Sequence, residues 1–259
     1  GRTQLEDAVP MSLGQTFGGF AAILEEELAY LDFAAKQFLT INMGATAIGT
    51  GICSEPGYAE ACIKATAEIT GWDIKLTEDL VGATSDTSVM IGYSSALKRI
   101  AVKLNKIGND IRLLASGPRC GLREINVPAM QPGSSIMPGK VNPVIPEVLS
   151  QVCYKVIGND LTVTMAGDAA QMELNAMEPV MAQCCFESCD LLMNGMDTFR
   201  TLCVDGITAN EDVCRDYIRN SIGIVTALNP VIGKEDLDSI LSPENMIKPV
   251  NLQHIKPLK

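Results

Sequence analysis

Large apolar side chains recur along this chain at intervals of three and four, a spacing that keeps them on one side of an α-helix. The first series is Leu13, Phe17, Phe20, Leu24, Leu28, Leu31, Ala35 and Phe38, uninterrupted by proline, and it predicts a helix over 13–38. A second series, Met90, Tyr93, Leu97, Ile100, Leu104, Ile107, Ile111 and Leu114, alternates threes and fours without a break. Ser85, Asp86 and Thr87 stand before it as candidate N-caps, and Gly117-Pro118 stops it. Such a helix is roughly 35–40 Å long, and long helices with near-heptad stripes pack side by side in bundles. A third helix starts from Pro146, with Glu147 favouring the positive end of its dipole, and reads on through Val148, Val152, Val156 and Val163. A fourth runs from Pro179 to about Val204. Charges are sparse over most of the surface of these last two, so each is buried on several sides, either inside a large bundle or between subunits. Association between subunits is the reading preferred here.

Between the helices lie the segments that hold most of the glycine and proline: 44–57, 117–139 and the tail after Asn229. Gly49-Thr50-Gly51 predicts a turn rather than a phosphate loop, because Ser54 stands where a third glycine would be needed. No repeat at a fixed period of 20–50 residues emerges.

Composition sharpens this picture. The chain has 259 residues, 47% of them apolar but only 5% aromatic, a balance that suits helices better than a β-sandwich. It carries 20 Lys+Arg against 31 Asp+Glu, a formal net charge of −11, with no basic cluster to track a phosphate backbone, so nucleic acid is not an expected partner. There is no run of about 18 uncharged apolar residues, which excludes a membrane-spanning helix. The nine cysteines are odd in number, irregularly spaced and without a C-x-x-C pair, which reads as reduced thiols. With no N-x-[ST] sequon present, a cytoplasmic address is expected. The single histidine, His254, lies five residues from the end. Ser-His-Asp hydrolysis, Cys-His pairs and His-ligated metal sites therefore lose their main residue.

The stretch richest in chemistry is Gly133-Ser134-Ser135-Ile136-Met137-Pro138-Gly139-Lys140-Val141-Asn142-Pro143. Two hydroxyls, flexible backbone N–H groups and one cation can converge on an anion, the inventory of a carboxylate-binding, oxyanion-stabilising loop. On the residues alone a Gly/Ser/Pro-rich surface loop is an equal reading. Thr3 likewise reads as a helix cap, Asn142 as a turn before Pro143, and Glu147 as a complement to a helix N-terminus.

The loop closely resembles the signature loop of the aspartase/fumarase superfamily. Four further stretches carry the same resemblance: Gly1-Arg2-Thr3-Gln4-Leu5-Glu6-Asp7-Ala8, Gly44 to Gly51 (GATAIGTG), Ile125-Asn126, and Asn220-Ser221-Ile222-Gly223 through Asn229-Pro230. Pro143-Val144-Ile145-Pro146-Glu147, Val156 to Asp160, Ala83 to Asp86 and Gly206 to Asn210 are similar to the ammonia-lyase branch. The hydratases of the superfamily usually place histidine after the Gly-Arg-Thr motif. Here that position is Gln4, which cannot carry a proton, and this favours the ammonia-lyases.

The resemblance implies an all-α fold, a long antiparallel helix bundle assembling into a tetrameric multi-helix core whose sites combine loops from three subunits. It implies a central bundle domain over 1–210 and a small, shortened C-terminal helical domain over 211–259. The family's N-terminal region would precede these residues, and Val231-Ile232-Gly233 runs into Lys234-Glu235-Asp236-Leu237 where a family chain interposes a further helical stretch. The chain thus reads as the larger share of one subunit. The implied reaction converts L-aspartate to fumarate and ammonia through an aci-carboxylate, with no cofactor and no metal. Ser134 is implied as the base and Lys140 as the activating cation that also binds a carboxylate. Ser135 would hold the developing dianion, Thr3 and Asn142 would contact substrate, and Gln4 and Glu147 would lie at the pocket wall. Fumarate hydration and a non-catalytic structural relative are the alternatives.

Overall fold

The structure, a computed structural model, describes residues 1–221 and Gly223. The tail at Val231–Leu237, His254, Asn229-Pro230 and most of the expected C-terminal domain lie outside the described residues. Among those described, the α-helices are α1 (Leu13–Lys36), α2 (Tyr58–Thr70), α3 (Gly82–Ser85), α4 (Ser88–Leu114), α5 (Val144–Asp168), α6 (Glu178–Leu202) and α7 (Glu211–Asn220). Strands come as two-residue pairs: β1 (Arg2–Thr3) antiparallel to β2 (Glu6–Asp7), β3 (Thr40–Ile41) parallel to β4 (Lys75–Leu76), and β5 (Ile125–Asn126) antiparallel to β6 (Thr208–Ala209). The protein is all-α in class, as the apolar spacing and low aromatic content predict.

The four expected helices are present with shifted ends. The last residue of the first stripe, Phe38, leaves α1 for a 3₁₀ turn at Gln37–Leu39. Asp86 caps α4: its Oδ1 accepts from Ser88 N at 2.9 Å and its Oδ2 from Ser88 Oγ at 2.7 Å. α5 begins at Val144, so Pro146 sits within the first turn, where a missing N–H leaves nothing unpaired. Gly49 and Gly51 form a turn, both donating to Ala45 O at 3.1 Å with φ of +86° and +64°. A Cβ on Gly49 would stand 2.3 Å from Val81 Cα, so side chains are excluded there.

The described chain divides into two compact units. One comprises 22–112 and 128–206; the other comprises 1–21, 113–127 and the described residues from Ile207. In the first, the registers of contact make neighbouring helices antiparallel. Glu27 of α1 meets Arg99 of α4 while Phe38 meets Tyr93, and Ser94 of α4 meets Asp160 of α5 while Gly108 faces Leu149. Asn159 of α5 meets Ser188 of α6 while Val152 faces Gly195. Val163, Ala166, Met181, Cys184 and Cys185 form one apolar cluster within it, with Met90, Ile91 and Tyr93 against them. Burial pushes the Cys153, Cys185 and Cys203 thiols up to about 11, so they stay protonated at neutral pH. All nine cysteines are free. Glu27, 1% exposed, accepts from Arg99 Nε and a second guanidinium nitrogen at 2.8 Å each and pairs with Lys103.

Large apolar side chains stand out on the other sides of α5 and α6. Leu161, Met165, Phe186 and Met193 are all more than half exposed. A groove along the two helices is lined by Val148, Val152, Phe186, Leu191 and Gly195 and includes no residue of the 133–143 loop. No described helix is long and apolar enough to cross a membrane.

Candidate active site

The 133–143 loop closes on itself just before α5. Pro132 and Val141 form an antiparallel bridge, and Gly133 N donates to Lys140 O at 2.8 Å. Asn142 Nδ2 donates back to Gly133 O at 3.4 Å. Glycine is required at 133 because a Cβ there would lie 2.6 Å from Lys140 O. The near end of the loop is thereby tied to the residue bearing its one cation. Across the tip, Lys140 N donates to Met137 O at 3.2 Å and Gly139 adopts φ +79°.

Within this frame Ser134 Oγ accepts two backbone N–H groups, from Ile136 and from Met137, at 3.2 Å each. Two N–H dipoles converging on one oxygen stabilise negative charge on it, which is what a serine base needs. Ser134 and Asn142 are half-buried, while Ser135 and Lys140 are exposed. Lys140 has no carboxylate partner among the described residues, and it is the only charged residue from 132 to 143. Its charge faces solvent.

Glu147 follows in the first turn of α5, where its carboxylate favours the helix N-terminus. Its Oε1 lies 3.6 Å from an Arg112 nitrogen. Ser134, Ser135, Lys140, Asn142 and Glu147 thus come from one continuous segment of one unit. Thr3 and Gln4 belong to the other. Thr3 is not a helix cap: it pairs with Glu6 across the β1–β2 hairpin, and Gln4-Leu5 is the turn between them. Both turn residues have left-handed backbones, φ +54° and +66°, although neither is glycine or asparagine. Each non-glycine residue held there costs about 1–2 kcal/mol. Neither the Thr3 nor the Gln4 side chain has a hydrogen-bond partner among the described residues, and both are exposed.

Sequence reasoning passed over Arg2, which shares the motif with Thr3. Its guanidinium pairs with Glu124, 122 positions away, and lies over the Tyr217 ring, 5.4 Å from the centroid. Nothing in local spacing announces partners so distant. Among the described residues no group of three His, Cys, Asp or Glu side chains comes together to hold a metal ion.

Residues 1–158 match the family described as Lyase. The aspartate ammonia-lyase of Corynebacterium glutamicum is 58% identical over 240 residues, covering 93% of this chain and 46% of that protein. Among solved structures, a fumarate lyase:delta crystallin from Brucella melitensis bound to cobalt shares 53% identity and a TM-score of 0.89, over 93% of this chain and 52% of that one. A class II fumarase from Schistosoma mansoni superposes with a TM-score of 0.87 at 32% identity, covering 93% of this chain and 53% of its own. The chain spans about half the length of the curated relatives it matches. A family match over more than half of its length, joined to the helical packing and the closed serine-lysine loop, makes this chain a member of the lyase family.

Proposed function

We propose that the full protein deaminates L-aspartate, releasing fumarate and ammonia, and that this chain supplies the signature loop for the reaction. The observation that carries the reading is Ser134 Oγ held by two N–H donors in a loop whose single cation, Lys140, is unpaired among the described residues. Its context is a chain 58% identical to an aspartate ammonia-lyase.

In this mechanism Ser134 takes the β-proton of L-aspartate. The electron pair left on Cβ delocalises into the adjacent carboxylate, which becomes a doubly charged aci-carboxylate. That pair then forms the Cα–Cβ double bond as the C–N bond breaks, the nitrogen leaving with its electrons as ammonia. Ser135 and loop N–H groups stabilise the dianion, Lys140 binds a carboxylate and lowers the cost of ionising Ser134. Thr3 and Asn142 contact the substrate, and Gln4 and Glu147 form part of the wall. In the family assembly loops from three subunits meet at each site, so the hairpin and the serine loop can reach one substrate from different copies. The exposed apolar side chains of α5 and α6 support self-association as a homotetramer. Nine free thiols support a cytoplasmic address.

Gln4 separates deamination from hydration, because it cannot exchange the proton that a histidine there would handle. The test follows fumarate by its ultraviolet absorbance with the full-length enzyme, first on L-aspartate and then on L-malate. Fumarate from aspartate is expected. Fumarate from malate alone would transfer the protein to the hydratases, and fumarate from neither would make it a non-catalytic relative.

A further inference from the structure

The β1–β2 hairpin is built in a way that its sequence does not favour. A two-residue turn with both backbones left-handed calls for Asn-Gly or Gly-Gly, yet Gln4 and Leu5 occupy it. Leu5 is 71% exposed, so its own packing does not hold the turn. The base of the hairpin is closed by Ala8 N donating to Gly1 O at 3.1 Å, and two further features stand beside it. A Cβ on the buried Gly223 would come 2.1 Å from Ala8 O, so this glycine lies directly against the end of the hairpin. On the other side Arg2 reaches Glu124, and both side chains are largely withdrawn from water, 21% and 13% exposed.

Glu124 is itself fixed. Its N–H donates to Leu114 O at 2.9 Å, its carbonyl accepts from Asn210 N at 2.8 Å, and the next residue, Ile125, is 1% exposed. Tyr217, the ring beneath Arg2, donates its hydroxyl proton to Leu122 O at 3.1 Å. Arg2 is therefore clamped between two partners that the rest of the unit holds in place. The side chains it carries forward, those of Thr3 and Gln4, have no hydrogen-bond partner among the described residues.

We propose that Arg2 is a positioning residue: anchored on Glu124 and Tyr217, it holds the strained hairpin in register so that Gln4 and Thr3 are presented to substrate. This rests on the lyase reading of those two residues. Arg2 touches no reacting atom in this scheme, and its effect passes through Gln4. Misplacement of a substrate-positioning group by about 1 Å can cost ~100-fold in rate.

The experiment uses the full-length enzyme with R2M, R2K, E124Q, Q4A and the double variant R2M/Q4A. It reads kcat and KM on L-aspartate, and amide hydrogen exchange over residues 2–7. R2M and E124Q are each expected to lower kcat/KM roughly 10–100-fold, with R2K recovering part of the loss. In the Q4A background R2M should cost less than about 3-fold more, since the two act as a unit. Losses that multiply, or an R2M enzyme within about twofold of wild type, would overturn the proposal. Should R2M not fold, E124Q and R2K decide it on the same readouts. If the wild-type enzyme releases no fumarate from aspartate, the lyase reading fails separately. Faster exchange at 2–7 in E124Q would then uphold the anchor, and unchanged exchange would remove it.

Discussion

Ser134 is assigned the hardest task of any side chain here, since an aliphatic hydroxyl holds its proton tightly at neutral pH. What the structure shows on that oxygen is two N–H donors, from Ile136 and Met137, in a loop whose one charge is positive. Ser134→Ala removes the oxygen and leaves the frame, because the bridge between Pro132 and Val141 and the Gly133–Lys140 bond are made by the backbone. The full-length variant is expected to lose about 10²–10⁴-fold or more in kcat on aspartate while keeping its helical signal and melting within a few degrees of wild type. Near-normal turnover would remove Ser134 from the role of base. Gly133 has a different claim on its position. Its requirement is steric, set by the carbonyl of Lys140.

Among the elements, α1 and α4 are joined by a buried charge. The Arg99 guanidinium, burial opposing it, and then Lys103 set the Glu27 carboxyl, and together they hold it down to about 2 from its ordinary 4.5. Between those values the unfolded chain binds the proton that the folded one refuses, so stability rises with pH there. The contribution is complete above about pH 4.5 and fades as pH falls toward 2; at ~1.4 kcal/mol per pH unit, denaturation from about pH 5 to 2.5 should show a loss of ~2 kcal/mol. Glu27→Gln should flatten that slope and lower stability by ~3 kcal/mol at neutral pH, because two cations are left facing a neutral amide. An unchanged slope in the variant would place the acid sensitivity elsewhere. The same helices show why the fold was largely legible in the sequence. Long stripes such as Met90 to Leu114 leave one periodic face. α7 was not legible in the apolar spacing and was expected only through the resemblance, because Glu211, Asp212, Arg215, Asp216 and Arg219 leave only Val213, Tyr217 and Ile218 as sizeable apolar positions. α2 also escaped: it starts from a left-handed Gly57 with no side-chain cap and is rich in small residues. The serine loop was legible because its chemistry is contiguous, whereas the Arg2 anchor depends on partners 122 and more positions away.

At the scale of the molecule, the apolar outer sides of α5 and α6 leave large side chains in solvent. Phe186 is 69% exposed, Met165 67% and Leu161 61%, an arrangement that favours covering by a further surface. Sedimentation of the full-length protein is expected to show a tetramer, and Phe186→Asp should shift it toward smaller species and lower activity without loss of helix. A monomeric wild type with full turnover would contradict shared sites. The division of the chain into two units has a further consequence, which concerns the order of synthesis. The unit that contains the Thr3–Gln4 hairpin is assembled from three separated stretches, 1–21, 113–127 and the residues from Ile207. At ~5–20 residues per second, Arg2 leaves the ribosome roughly 6–24 s before Glu124 and longer still before Tyr217. For that interval Arg2 can form neither its Glu124 pair nor its contact with the Tyr217 ring. The hairpin is therefore made well before the partners that Arg2 meets, and during synthesis the serine loop's unit has most of its sequence available before the hairpin's unit can close.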